Sequence, residues 1–154
     1  MVLGDRFPEP ERLASVRRQL TPWGVIRLFC DFTSPPKEKR LLVVHVATEV
    51  HVLVINSAVA SFIQERPGML QCQVSLKKTK HTFLSADSFL DCTRVYSTPA
   101  QEIERQLLSD IGRIQGEIAP EDRPAVVGAI RKSKLIERRV KATLLSSLEQ
   151  AMKR

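Results

Sequence analysis

Arg40 stands where a polar, proline-containing loop, Ser34-Pro35-Pro36-Lys37-Glu38-Lys39, gives way to an apolar run. A guanidinium at such a junction presents a planar fork of donors that can grip a phosphate through two parallel hydrogen bonds, or it caps the start of a strand. Lys39 lies beside it. Asn56 and Ser57 close the second apolar run and offer an amide and a hydroxyl to the same kind of oxyanion, or serve as strand-end turn residues. Lys77, Lys78 and Lys80 form one basic patch, with His81 directly after it. Arg131, Lys132, Lys134, Arg138, Arg139 and Lys141 form a second, opposed only by Glu137. Each patch is either a phosphate-binding surface, which would give a steep salt dependence, or a solvated face.

The three histidines are the side chains whose ordinary pKa lies near neutrality. His45 and His51 sit inside apolar runs and read as interior or edge residues, whereas His81 beside the lysines is a candidate to touch nucleic acid. No histidines and carboxylates have metal-ligand spacing, and neither GxGxxG nor GxxxxGK[ST] occurs, so no metal and no cofactor is expected. Cys30, Cys72 and Cys92 cannot all pair within one chain, and none lies in a CxxC. They read as small buried hydrophobes in a reduced, cytoplasmic setting.

The 154 residues carry a net charge of +7, which favours a polyanion such as RNA or DNA, or an acidic protein. Hydrophobic residues make up 43%, enough for a packed core, while aromatics at 5% limit any stacking platform for bases. No apolar run resembles a signal peptide. The longest, Leu41 to Ile55, is interrupted by His45, Thr48, Glu49 and His51, so no membrane span is expected.

The elements that must position these residues follow from periodicity. An irregular start around Phe7-Pro8-Glu9-Pro10 leads to a short helix over 11–20, broken by Thr21-Pro22. Residues 23–32 are rich in β-branched and aromatic residues and predict a strand. Two nearly continuous apolar runs, 40–47 and 50–56, predict strands covered on both faces or curled into a barrel. A helical turn is expected over 58–64. Residues 70–76 alternate, with Leu70, Cys72, Val74 and Leu76 pointing one way. A last strand is expected over 88–95.

From Thr98 the period becomes helical. Thr98-Pro99-Ala100-Gln101 reads as a capping box, and Ile103, Leu107, Leu108, Ile111 and Ile114 mark one apolar face as far as a break near Gly116. Further helices are expected from Pro120 and over 134–152. The chain therefore reads as one α+β domain: an arm over 1–20, a small antiparallel β-barrel over 21–97 and a helical region over 98–154.

The order of these segments resembles the MazF/PemK family of toxin ribonucleases. Gly24-Val25-Ile26-Arg27-Leu28-Phe29, a charged loop ending in Lys39-Arg40, and Leu41-Leu42-Val43-Val44 are similar to the opening of that family. Val52-Leu53-Val54-Ile55-Asn56-Ser57 and the stretch from His81 to Tyr96 are similar to its later strands. The resemblance covers roughly residues 22 to 114. Leu41 stands where the family has proline, and Asn56-Ser57 where a threonine is usual. The resemblance implies an SH3-like barrel, usually a homodimer, that cleaves single-stranded RNA without metal and is restrained by an antitoxin partner. Cleavage by 2′-hydroxyl attack needs a base, a cation for the phosphate and an acid for the leaving oxygen. On that reading Arg40 is the cation and Ser57 its hydrogen-bonding neighbour. The alternatives are a non-catalytic barrel that binds nucleic acid, and a structural or regulatory protein whose helices dock an acidic partner.

Overall fold

The computed structural model describes residues 9–153. The expected irregular start at Phe7-Pro8 lies outside them. Six strands, β1 (Gly24–Cys30), β2 (Lys37–Val46), β3 (Glu49–Asn56), β4 (Gln73–Leu76), β5 (Ser88–Pro99) and β6 (Ile114–Glu117), form one sheet in the order β4-β5-β3-β2-β1-β6. Every pairing is antiparallel. Bulges between β1 and β6, β2 and β3, and β3 and β5 bend the sheet. It is a curled half-barrel with β4 and β6 at its edges, and the α+β architecture is the one expected. Six helices accompany it: α1 (Glu9–Gln19), α2 (Ser61–Gln64), α3 (Pro67–Leu70), α4 (Ala100–Ser109), α5 (Arg123–Lys132) and α6 (Arg138–Met152).

The apolar runs of β2 and β3 are continuous because both faces of the central strands are covered. Leu42, Val44, Leu53 and Ile55 face one way, against Val126 and Ile130 of α5 and Leu144 and Leu148 of α6. Leu41, Val43, Val50, Val52 and Val54 face the other way, against Val16 of α1 and Ile103 and Leu107 of α4. The sheet thus has an α5/α6 face and an α1/α4 face, and successive residues of a strand alternate between them. Trp23 locks the first of these layers: it is buried, and its indole N–H donates to the Leu148 carbonyl at 3.0 Å. Gly116 leaves room for a ring, since a Cβ there would lie 3.0 Å from Phe83 Cδ1.

Several boundaries differ from the sequence expectation. The strand expected over 70–76 begins at Gln73; Leu70 ends α3 and is exposed. Thr98-Pro99 is not a capping box: β5 runs through Pro99, paired with Glu49, and helix α4 starts at Ala100 without a side-chain cap. The helical face expected to reach Ile114 stops at Ser109. Ile111 is exposed in a 3-10 turn and Ile114 opens β6, which pairs with β1. Strands and helices are therefore not fully segregated along the chain. All three cysteines are free and buried, as expected. Burial pushes the Cys30 thiol up to about 11 and the Cys92 thiol well above its ordinary range, so neither is a ready nucleophile. Among the described residues, no helix is long and apolar enough to cross a membrane.

Candidate nucleic-acid site

At one end of the α1/α4 face the helices stop short of the sheet. A shallow cleft of about 200 Å³ opens there, between the β1–β2 loop and strands β2, β3 and β5. Its walls include Lys37, Lys39, Asn56, Asp91 and the Phe32 and Tyr96 rings. Lys39 follows Leu41 and Val43 in alternation, and Asn56 follows Val52 and Val54, so both reach the same face. The Lys39 ammonium donates to Asn56 Oδ1 at 2.6 Å. Burial holds the Lys39 amine below its ordinary pKa, and the Lys37 charge adds to the effect. A half-buried ammonium with one neutral acceptor and a second cation nearby is a site that an anion would complete.

Asp91 supplies the opposite kind of group. Its Oδ1 accepts from Gln73 Nε2 at 2.8 Å, from the Thr93 N–H at 2.9 Å and from the Thr93 hydroxyl at 2.5 Å. These three donors fix the carboxylate, and Oδ2 has no hydrogen bond among the described residues. Phe32 and Tyr96 stack with centroids 4.5 Å apart and planes 12° from parallel. The pair forms a flat aromatic wall at a place where few aromatics exist to build one. The loop above is tied by the Thr33 hydroxyl, which donates to the Pro35 carbonyl at 2.8 Å.

Arg40 is not in this cleft. It aligns with Leu42 and Val44, so its side chain belongs to the α5/α6 face, where its Nε donates to Gln115 Oε1 at 2.9 Å. The offset from Lys39 is one residue, and one residue in a strand exchanges the faces. Ser57 lies in the bend just beyond β3, exposed, and it does not line the cleft. The pair named from the sequence as cation and neighbour is thus away from the cleft, and the Lys39–Asn56 pair occupies it.

The basic patches divide as well. Lys77 pairs with Asp87 at 3.6 Å, and Lys80 with Glu121 and Asp122, both at 3.7 Å. Lys78 is exposed. His81 is buried: its Nδ1 donates to the Lys77 carbonyl at 2.9 Å, and its Nε2 accepts from the Ala119 N–H at 3.0 Å. Those roles require the neutral ring and leave neither nitrogen for a ligand. His81 is an internal tie, and its expected contact with nucleic acid has no exposed atom to rest on. In the second patch Arg131 pairs with Glu149 at 2.5 Å. Lys132, Lys134, Arg138 and Arg139 are exposed around the α5–α6 turn, without an ion pair among the described residues. Glu137, the one nearby acid, is engaged in capping α6 through the Arg139 and Val140 N–H groups.

Asp91, Lys37 and the Phe32–Tyr96 pair were not singled out from the sequence. Asp91 had a readable signal, an Asx-type contact to the residue two positions on. The stacked rings come from separate segments and had none.

No family model matches the chain, and no curated protein matches it in sequence. Among solved structures, the chain is similar to the Mycobacterium tuberculosis toxin MazF-mt6, at 18% identity and a TM-score of 0.49, over 70% of this chain and 91% of that one.

Proposed function

We propose that the α1/α4 cleft binds single-stranded RNA and cleaves it by 2′-hydroxyl attack, as in a MazF-like toxin endoribonuclease that uses no metal. The observation that carries this reading is the desolvated Lys39 ammonium, held by Asn56 and facing a cleft shared with the open oxygen of Asp91. Asp91 Oδ2 takes the 2′-hydroxyl proton as that oxygen bonds to phosphorus. The ammonium groups of Lys39 and Lys37 balance the charge growing on the phosphate oxygens. The 5′-oxygen leaves with a proton from Lys39, whose lowered pKa makes it a better acid than a solvated lysine. The products are a 2′,3′-cyclic phosphate and a free 5′-hydroxyl. A base of the strand stacks on the Phe32–Tyr96 wall. Lys132, Lys134, Arg138 and Arg139 add sequence-independent phosphate contacts. A homodimer and an acidic antitoxin complete the reading, the latter suited to a chain of charge +7.

The test is incubation with mixed-sequence single-stranded RNA in excess chelator. The expected result is cyclic-phosphate ends from the wild type and loss of cleavage in Lys39→Met. Intact RNA with the wild type would overturn catalysis. The open cations around the α5–α6 turn support a second reading, a non-catalytic nucleic-acid binder. It predicts salt-sensitive retention of RNA on a filter without cleavage.

A further inference from the structure

Strand β5 is bare along part of one edge. Its pairing with β4 runs only from Ser88 to Asp91. One step on, the Cys92 N–H still donates to the Cys72 carbonyl at 3.0 Å. At Thr93 the Ser133 hydroxyl takes over, donating to the Thr93 carbonyl at 2.8 Å. Beyond Thr93 no strand lies on that side among the described residues. Arg94 and Val95 also fall within the irregularity against β3 and have no register partner there. A groove of about 490 Å³ borders this edge, between β5 and the connection from α5 to α6. Val95, Leu135, Ile136 and Val140 make it aliphatic, and Leu135 is left 53% exposed. Arg94, Lys132, Lys134, Arg138 and Arg139 surround it, all exposed and without an ion pair among the described residues. The one acid in its wall, Glu137, is occupied by the Arg139 and Val140 N–H groups.

We propose that this groove docks an extended acidic segment of a partner protein, added to β5 as a further strand. An open strand edge supplies main-chain hydrogen bonds, and pockets for alternate side chains supply the selectivity. Every second residue of the segment is apolar and enters the groove against Leu135 and Val95. The residues between them carry carboxylates to the surrounding cations. The aliphatic lining favours such a segment over a nucleic-acid strand, whose bases are held by stacking on rings. Tyr96 is the one ring in the wall, and it is already stacked on Phe32. The proposal does not depend on the ribonuclease reading, since no step of RNA cleavage enters it.

The experiment measures fluorescence anisotropy of a labelled peptide pool in which Asp or Glu alternates with Val, Leu or Ile. Saturable binding is expected, and a pool with Lys in place of the acids should not bind. Leu135→Ser, a change at an exposed side chain that leaves folding intact, should weaken binding roughly tenfold, the worth of burying a leucine. Lys134→Gln combined with Arg138→Gln should weaken it at low salt and flatten its salt dependence. Methylating alternate peptide N–H groups should abolish binding in one of the two registers, as strand addition requires. Tyr96 is the sole tyrosine of the chain, so its ring signals in NMR should shift as the peptide binds. No saturable binding by the acidic pool overturns the proposal, and so does binding that Leu135→Ser leaves unchanged. Displacement of Leu135 methyl signals by a short single-stranded RNA, with none by the peptides, overturns it in favour of a nucleic-acid surface.

Discussion

Lys39 and Arg40 are neighbours in sequence and lie on opposite sides of the sheet. On the α1/α4 face, one lysine is half-buried against a neutral oxygen and shares its cleft with a carboxylate fixed by three donors. On the α5/α6 face, two arginines oppose each other, with a neutral amide for one and a distant acid for the other. The first arrangement pairs a base with an acid across a space, which is what proton transfer needs. In the second, the carboxylates of Glu38 and Asp110 are paired with Arg113 and Arg27. Net charge sees no difference between the two faces; the geometry around each cation separates them.

The comparison breaks most visibly at Asp91. If the cleft face carries the chemistry, Asp91→Asn keeps the shape of the side chain and removes the proton acceptor. Single-turnover cleavage of a short RNA should slow by roughly 10²–10⁴-fold, the range for a positioned general base. A rate within threefold of wild type would place the base elsewhere. Lys39→Met comes next. Loss of one positioned charge donor is worth about 10²–10³-fold in kcat. Arg40→Met, at saturating RNA, should leave kcat within about threefold, since its side chain lies on the other face. The opposite ranking, with Arg40 essential and Lys39 dispensable, would return the active site to the α5/α6 face and undo the assignment.

Helix α4 also guards an edge of the sheet. Beyond the short β6, strand β1 has a free edge. Gln106 of α4 closes it: its Oε1 accepts from the Phe29 N–H at 2.9 Å, and its Nε2 donates to the Phe29 carbonyl at 3.2 Å. This amide imitates a neighbouring strand and protects an edge open to foreign pairing. Gln106→Ala should cost about 1–3 kcal/mol by denaturant titration, the price of leaving such groups unpaired. An unchanged midpoint would show that water replaces the amide without loss.

How much of this was legible follows from which forces set each feature. β2 and β3 could be read because Leu41 to Val44 and Val52 to Ile55 are apolar at every position, a pattern that strands covered on both sides require. Strand β6 could not, because Ile111 and Ile114 continue the three-and-four spacing of Ile103 and Leu107, and only pairing with β1 overrides that local period. The Thr98-Pro99 signal failed in the same way, since the ladder from β3 holds β5 straight through it. At the site, the types of residue were legible and their sides were not. A lysine and an arginine in adjacent positions differ by one step of alternation, and the sequence offers no anchor for which step faces the cleft. Arg27 opposite Arg40 is a matter of register, and Gln106 against Phe29 spans the whole barrel.

The smallest expected effect sits where the α5/α6 face meets its last helix. His45 and His51 are cross-strand partners with ring centroids 5.8 Å apart, and His45 Nδ1 is hydrogen-bonded to the Ser147 hydroxyl of α6. His51 Nδ1 is buried without a partner among the described residues. Burial holds the His51 pKa below 6.5, a charged His45 lowers it further, and Glu49 acts weakly the other way. In the window below 6.5 the unfolded chain therefore binds more protons at this site than the folded chain does. Stability falls as pH drops through that window, and above 6.5 the site contributes no slope. The loss is complete once pH lies below the lowered folded value. A melting-temperature series against pH should show a gentle decline there, accompanied by faster amide exchange in α6. His51→Gln should flatten it, and an equally steep decline in that variant would assign the acid sensitivity to carboxylates elsewhere. RNA cleavage in the cleft should not follow this titration, because the histidine pair and Asp91 lie on opposite faces of the sheet.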